Sequence, residues 1–115
     1  MKASEGCLFC GIVEGRIPAR KVREDAETLA FHDLHPQAKT HVLVIPKAHY
    51  GTVLDLPPAS TVMARLVEAA TAIAREGGLG EGFRLVVNTG PDGGQTVGHL
   101  HLHLLGGRRM DWPPG

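Results

Sequence analysis

The strongest pattern in the chain lies near its end, where His99-Leu100-His101-Leu102-His103-Leu104-Leu105 alternates polar and apolar residues. A period of two predicts a strand, with three imidazoles on one face and leucines on the other. Neighbouring imidazoles would stand roughly 6.7 Å apart, from a rise of about 3.3 Å per residue. Upstream, His41-Val42-Leu43-Val44-Ile45 is rich in β-branched residues and stops at Pro46, the pattern of a buried strand. Glu27–Asp33 reads as a strand closed by the turn at His35-Pro36, and Phe83–Asn88 as another. Between Asp55 and Gly77 the residues Val62, Leu66, Ala69, Ala70 and Ile73 recur at helical spacing. This predicts one long helix, with Pro57 and Pro58 tolerated in its first turn and Gly77-Gly78 supplying a left-handed cap. Leu8–Val13 reads as a short helical turn. Strands outnumber helices, and most lie too close in sequence for helical crossovers. The fold class is therefore α+β, an antiparallel sheet with the long helix across one face. No repeat or linker divides the chain, so residues 1–115 are expected to form a single domain.

Composition narrows the function. The 115 residues carry 12 Lys+Arg against 12 Asp+Glu, which gives no electrostatic footprint for nucleic acid. No apolar run approaches the 18 or so residues of a membrane span. Met1-Lys2-Ala3-Ser4-Glu5-Gly6 lacks the apolar stretch of a secretory signal, and Cys7 and Cys10 sit too close together to staple a fold. A cytoplasmic setting is the expectation.

Seven histidines in 115 residues are a surplus that packing does not demand. The three in register admit three readings: the polar face of a half-buried strand, a metal site, or catalysis by neutral imidazole. The preceding loop, Gly90-Pro91-Asp92-Gly93-Gly94-Gln95-Thr96-Val97-Gly98, can bring backbone N–H groups against an anion. It lacks the Lys of a Walker-type loop. Together these features suggest a phosphate held against a histidine. Cys7-x-x-Cys10 stays open among a redox pair, half a zinc site and coincidence, although no thioredoxin-like βαβ unit follows it.

Gln95-Thr96-Val97-Gly98-His99-Leu100-His101-Leu102-His103-Leu104-Leu105 resembles the His-φ-His-φ-His-φ-φ signature (φ apolar) of the histidine triad (HIT) superfamily. Ile17-Pro18-Ala19, Ala30-Phe31-His32-Asp33, Pro36-Gln37-Ala38, His41–Lys47, Val86-Val87-Asn88 and the ending Gly106–Gly115, with its Trp112-Pro113-Pro114-Gly115, resemble the Hint branch. The likeness runs from Cys7 to the last residue. It implies a five-stranded antiparallel sheet with one long and one short helix, paired as a homodimer through the long helix and a strand.

The resemblance implies a nucleotide-binding hydrolase that cleaves bonds to the α-phosphate of purine nucleotides, phosphoramidates above all. It makes His101 the nucleophile that forms a nucleotidyl-histidine, with His103 on the phosphate. Asn88, Gly94 and the Gln95-Thr96-Val97 backbone would hold phosphate oxygens, and Thr96, where the branch commonly has serine, would donate to the leaving group. His41 would join the same imidazole network; as strand-end residues, His41 and Asn88 could equally satisfy backbone groups. Asp33 would accept from the ribose hydroxyls beside His32 and Leu34, and Leu8, Phe9 and Ile12 would form the base slot, although Phe9 could as well be core. Members with Cys-x-x-Cys near the start bind zinc, which here implies Cys7, Cys10, His49 and His99 as a structural site. No divalent cation is then required for the chemistry. Dinucleoside polyphosphate hydrolysis, as in another branch, and a nucleotide-binding regulatory module with incidental activity are the competing expectations.

Overall fold

The computed structural model describes residues 6–115; Met1–Glu5, read above for a signal segment, lie outside the described residues. Five strands form one antiparallel sheet: β1 (Lys21–Glu24), β2 (Thr28–His32), β3 (Thr40–Pro46), β4 (Phe83–Val86) and β5 (Leu102–Gly106), in spatial order β1-β2-β3-β5-β4. Two helices accompany it, α1 (Leu8–Val13) and α2 (Val62–Glu76), with a 3₁₀ turn at Val53–Asp55. The α+β class and the strand and helix counts match the expectation.

The apolar run of β3 has a physical reason. Val42 and Val44 face α2, packing with Leu66, Ala70, Ile73, Leu102 and Leu104, whereas Leu43 and Ile45 face Phe9 and Ile12 of α1. A strand covered on both sides has no wet face, so its pattern is continuous rather than alternating. The leucines of the histidine segment join the α2 side, which leaves its imidazoles on the α1 side.

Three expected bounds need correction: the start of the long helix, the end of β4 and the start of β5. The long helix begins at Val62, and Pro57 and Pro58 lie in the connection before it. Ala59 takes the left-handed backbone at φ 63°, which ends any helical start from the prolines. At the other end the expected glycine cap is present: Gly77 keeps a negative φ and Gly78 carries the left-handed turn. There Gly78 N–H donates to Arg75 O and Leu79 N–H to Ala74 O, closing a Schellman motif. β4 ends at Val86 and β5 begins only at Leu102, because Val86 pairs with His103 and the ladder stops there. Val87, Asn88 and the segment His99–His101 therefore lie beyond the sheet's hydrogen bonds. Finally, β1 was not read from the pattern; its four residues are all exposed, so no apolar period marks it.

Candidate active site and metal centre

α1 opens on Cys7, whose sulfur accepts from the Cys10 N–H at 3.3 Å. Residues three apart on a helix share a face, so both sulfurs project together. They meet two rings from elsewhere. Cys7 Sγ lies 3.4 Å from His99 Nδ1, Cys10 Sγ 3.2 Å from His49 Nδ1 and 3.6 Å from His99 Nδ1, and the two Nδ1 atoms are 3.2 Å apart. Zn–N bonds of about 2.0–2.1 Å and Zn–S bonds of about 2.3 Å separate the donors of a tetrahedron by roughly 3.3–3.8 Å. The four atoms fit such an ion. Protonation agrees, because His99 Nε2–H donates to the Pro46 carbonyl at 2.9 Å, leaving the Nδ1 lone pair toward the cluster. His99 is fully buried, and burial lowers its pKa while the Pro46 carbonyl opposes the fall. A neutral ring is the form that ligates a metal.

The next histidine has the opposite tautomer. His101 Nδ1–H donates to its neighbour's carbonyl, His99 O, at 2.7 Å. A carbonyl only accepts, so the proton sits on Nδ1 and the lone pair on Nε2. The ring is buried, with the edge of Phe9 at 5.2 Å between centroids and His103 at 4.9 Å. His101 and His103 are thus nearer than ideal strand spacing predicts, their planes tilted by 59°.

His103 belongs to a chain of donors. Gln37 N–H donates to His41 Nδ1 at 3.0 Å, and His41 Nε2 lies 2.9 Å from His103 Nδ1. With its Nδ1 accepting, neutral His41 carries its proton on Nε2 and donates to His103, whose own proton then sits on Nε2. That Nε2 is buried and has no partner among the described residues. Burial, with the His101 and His41 rings adding to it, brings the His103 pKa down to about 4; Asp33 opposes. Burial also lowers His41, again against Asp33. Asp33 Oδ2 lies 3.4 Å from His41 Nε2, so one carboxylate and two imidazoles converge. They do not suit a cation: coordination at His41 Nε2 would need the ring proton on Nδ1, where the Gln37 N–H already points.

These shifts predict an acid limb in stability. The folded protein resists protonating His41 and His103, whereas the unfolded chain takes up those protons near the ordinary value of 6.5. Between about 6.5 and about 4 the unfolded state binds more protons, so stability rises with pH there and is lost as pH falls. Thermal melts should show Tm dropping from about pH 6.5 downward; a flat Tm to about pH 4.5 would contradict this assignment.

The glycine loop holds itself open. Gly90 and Gly94 take left-handed φ of 69° and 80°, and a Cβ on Gly93 would run into the Thr89 carbonyl. Gly98 has open space and no such need. Gln95 staples the loop: its Oε1 accepts from Gly90 N–H, and its Nε2 donates to Gly51 O and Val97 O. Its backbone N–H donates to Gly90 O at 3.1 Å, so of the three amides expected at a phosphate, those of Thr96 and Val97 remain.

The nucleoside-side residues divide. Asp33 Oδ1 accepts from His35 N–H at 2.7 Å, and half-buried His32 ends β2 beside it. Leu34 is 85% exposed and Leu8 47% exposed. Phe9 and Ile12 are buried in the α1-side core, with Phe9 edge-on to Phe31, His99 and His101. Phe9 is core and the floor under the imidazoles at once. Asn88 follows β4 at the mouth of the glycine loop, half-buried. Sequence reasoning missed Gln37, whose contribution is a backbone N–H that no side-chain pattern could reveal.

A family model described as the HIT domain matches residues 14–110. The chain belongs to the HIT family. A solved HIT family hydrolase from Legionella pneumophila is 51% identical to this HIT chain and superposes with a TM-score of 0.92, over 96% of this chain and all of that one. An adenylylsulfatase HINT1 of Arabidopsis thaliana is 45% identical over 112 residues, 94% of this chain and 76% of its own. A 14 kDa zinc-binding protein of Zea mays is also 45% identical over 112 residues, 94% of this chain and 87% of its own. Its name agrees with a cysteine–histidine set that, in this HIT chain, has tetrahedral spacing.

Proposed function

We propose that this HIT protein is a nucleotide hydrolase acting at the α-phosphate of purine nucleotides, with adenosine 5′-phosphoramidates as the substrate type. The observation that carries the reading is the pair of opposite tautomers: a lone pair on His101 Nε2 beside an unpartnered N–H on His103 Nε2. The first is a nucleophile, and the second is a donor for a phosphate oxygen. His101 Nε2 attacks the α-phosphorus, a P–N bond forms to the ring, and the P–N bond to the amine breaks. The amine leaves with a proton from solvent, delivered directly or through the Thr96 hydroxyl, which is exposed at the loop and takes a solvent proton back as it gives its own. Water then attacks phosphorus, the histidine–phosphorus bond breaks, and AMP leaves. His103 and the Thr96 and Val97 amides hold the phosphate through both steps, and Asp33 takes the ribose hydroxyls. Supporting the reading is a relative named for cleaving an adenylyl compound. Comparing kcat/KM for adenosine 5′-phosphoramidate, adenylylsulfate and diadenosine tetraphosphate tests it. Preference for the phosphoramidate is expected; preference for the tetraphosphate would assign dinucleoside polyphosphate hydrolysis, and AMP binding without turnover a regulatory module.

Zinc held by Cys7, Cys10, His49 and His99 completes the proposal. Four protein ligands leave no open position, so the metal's part is structural: it ties α1 to the segment that carries the nucleophile. Cys7 and Cys10 outside any disulfide go with the cytoplasmic, reducing setting that is part of this proposal.

A homodimer is also part of the proposal. β4 is a sheet edge with Phe83 40% exposed, and Trp112 is 85% exposed in the C-terminal segment. Light scattering should give twice 12.3 kDa at micromolar concentration, and a stable monomer would refute it.

A further inference from the structure

We propose that the backbone N–H of Gln37 sets the polarity of the phosphate site: relayed through His41, it makes His103 a donor at Nε2 rather than an acceptor. A free imidazole exchanges tautomers readily, and the wrong one would turn a lone pair toward a phosphate oxygen. Here the first member of the chain is an amide, which can only donate. Everything after it is forced. His41 accepts at Nδ1 and donates at Nε2, and His103 accepts at Nδ1 and keeps its proton on Nε2. The end of the chain is the unpartnered buried N–H.

The turn that delivers the amide is itself fixed. Asp33 Oδ1 accepts from His35 N–H, the Gln37 side chain donates to His35 O, and Arg108 Nε donates to Gln37 O. Asp33 N–H also donates to His41 O at 3.0 Å, which closes the turn onto the start of β3. Asp33 Oδ2, an acceptor-only group, lies 3.4 Å from His41 Nε2; its charge favours a proton on that nitrogen and so does not reverse the direction. His41 and the Gln37 amide are therefore positioning groups, acting on substrate through His103. On His101 the carbonyl of His99 does the converse, so two histidines two residues apart are locked into opposite tautomers by backbone groups of opposite kind.

The proposal rests on the phosphate lying against His103, as above, but its test does not need turnover. Imidazole ¹⁵N shifts of the intact protein without nucleotide, read near pH 7.5 where His103 is neutral, report each tautomer directly. His101 is expected protonated at Nδ1, and His41 and His103 at Nε2; His103 protonated at Nδ1 would overturn the relay. His41→Gln keeps a donor toward His103 and should retain the tautomer, with AMP affinity within a few-fold. His41→Leu removes it, and His103 should become a tautomer mixture with AMP affinity down about tenfold or more. Gln37→Ala keeps the amide while losing the side-chain bond to His35 O, and should retain the tautomer with AMP affinity within a few-fold; Gln37→Pro deletes the amide and should mimic His41→Leu. An unaltered His103 tautomer and unaltered AMP affinity in folded His41→Leu protein would also overturn the relay. The expected tautomers in a protein that fails to bind AMP would support the relay while removing the function proposed above.

Discussion

His101→Ala is expected to lower kcat on adenosine 5′-phosphoramidate by roughly a thousandfold or more while leaving AMP affinity within a few-fold. The split follows from where the ring sits. His101 offers a lone pair rather than a donor, so it contributes a covalent bond to the transition state and little to ground-state binding. In the proposed mechanism phosphate binding is left to the His103 N–H and the loop amides, which the substitution does not touch. Removal of the buried ring leaves space beside Phe9, a core cost that a melting curve separates from the loss in rate. Rapid-quench measurements on wild type should trap radiolabelled nucleotide on the protein, and the variant should trap none. A His101→Ala protein with near-normal kcat would end the proposed mechanism.

Protein prepared without chelator should carry one zinc per chain, and Cys10→Ser should lower Tm by on the order of 10 °C or more. The size of that effect comes from what the ion would join. Cys7 and Cys10 belong to α1, His49 to the turn after β3, and His99 to the segment entering β5. Without a cation, the Cys10 sulfur and the two ring nitrogens stand within 3.6 Å of one another with no ion to bind them together. The rest of the domain keeps two apolar layers about the sheet, so it should still fold. The drop in kcat should accordingly be the smaller effect, under about tenfold, because no ligand position is open to water. Metal analysis showing far less than one zinc per chain would return His99 to the catalytic network.

Much of this was legible in the chain because periodicity reports burial directly. The alternation of His99–Leu105 placed the leucines against α2 and the imidazoles together, and the stripe of Val62, Leu66, Ala69, Ala70 and Ile73 gave the inward face of α2. β1 escaped because an exposed edge strand has no apolar side to show. The helix start was misjudged because the decisive event, a left-handed Ala59, is a conformation alanine does not advertise. In the site, side chains were legible and protons were not. Which nitrogen of each ring carries hydrogen is dictated by Pro46 O, His99 O and Gln37 N–H, backbone groups present at every position of every sequence. Only folding selects which of them matter. The Gln95 amide was misassigned for the same reason, its N–H being spent on Gly90 O within the loop.

The late start of β5 has a consequence for how the molecule breathes. His99–His101 is attached by Leu100 N–H to Tyr50 O at 2.6 Å, in the stretch that follows β3, and by the His99 ring to the carbonyl of Pro46, the last residue of β3. The His101 ring is thus carried on a segment moored to the end of β3 and to the loop after it, one residue short of the ladder that begins at Leu102. Local opening divides a fold into units that release their amides on separate schedules, loops before sheets. The nucleophile proposed above is expected to share the schedule of the 47–51 stretch more than that of the strands behind it. Its alignment would then last as long as that loop stays shut, and catalytic competence would lapse and return many times within one lifetime of the folded sheet.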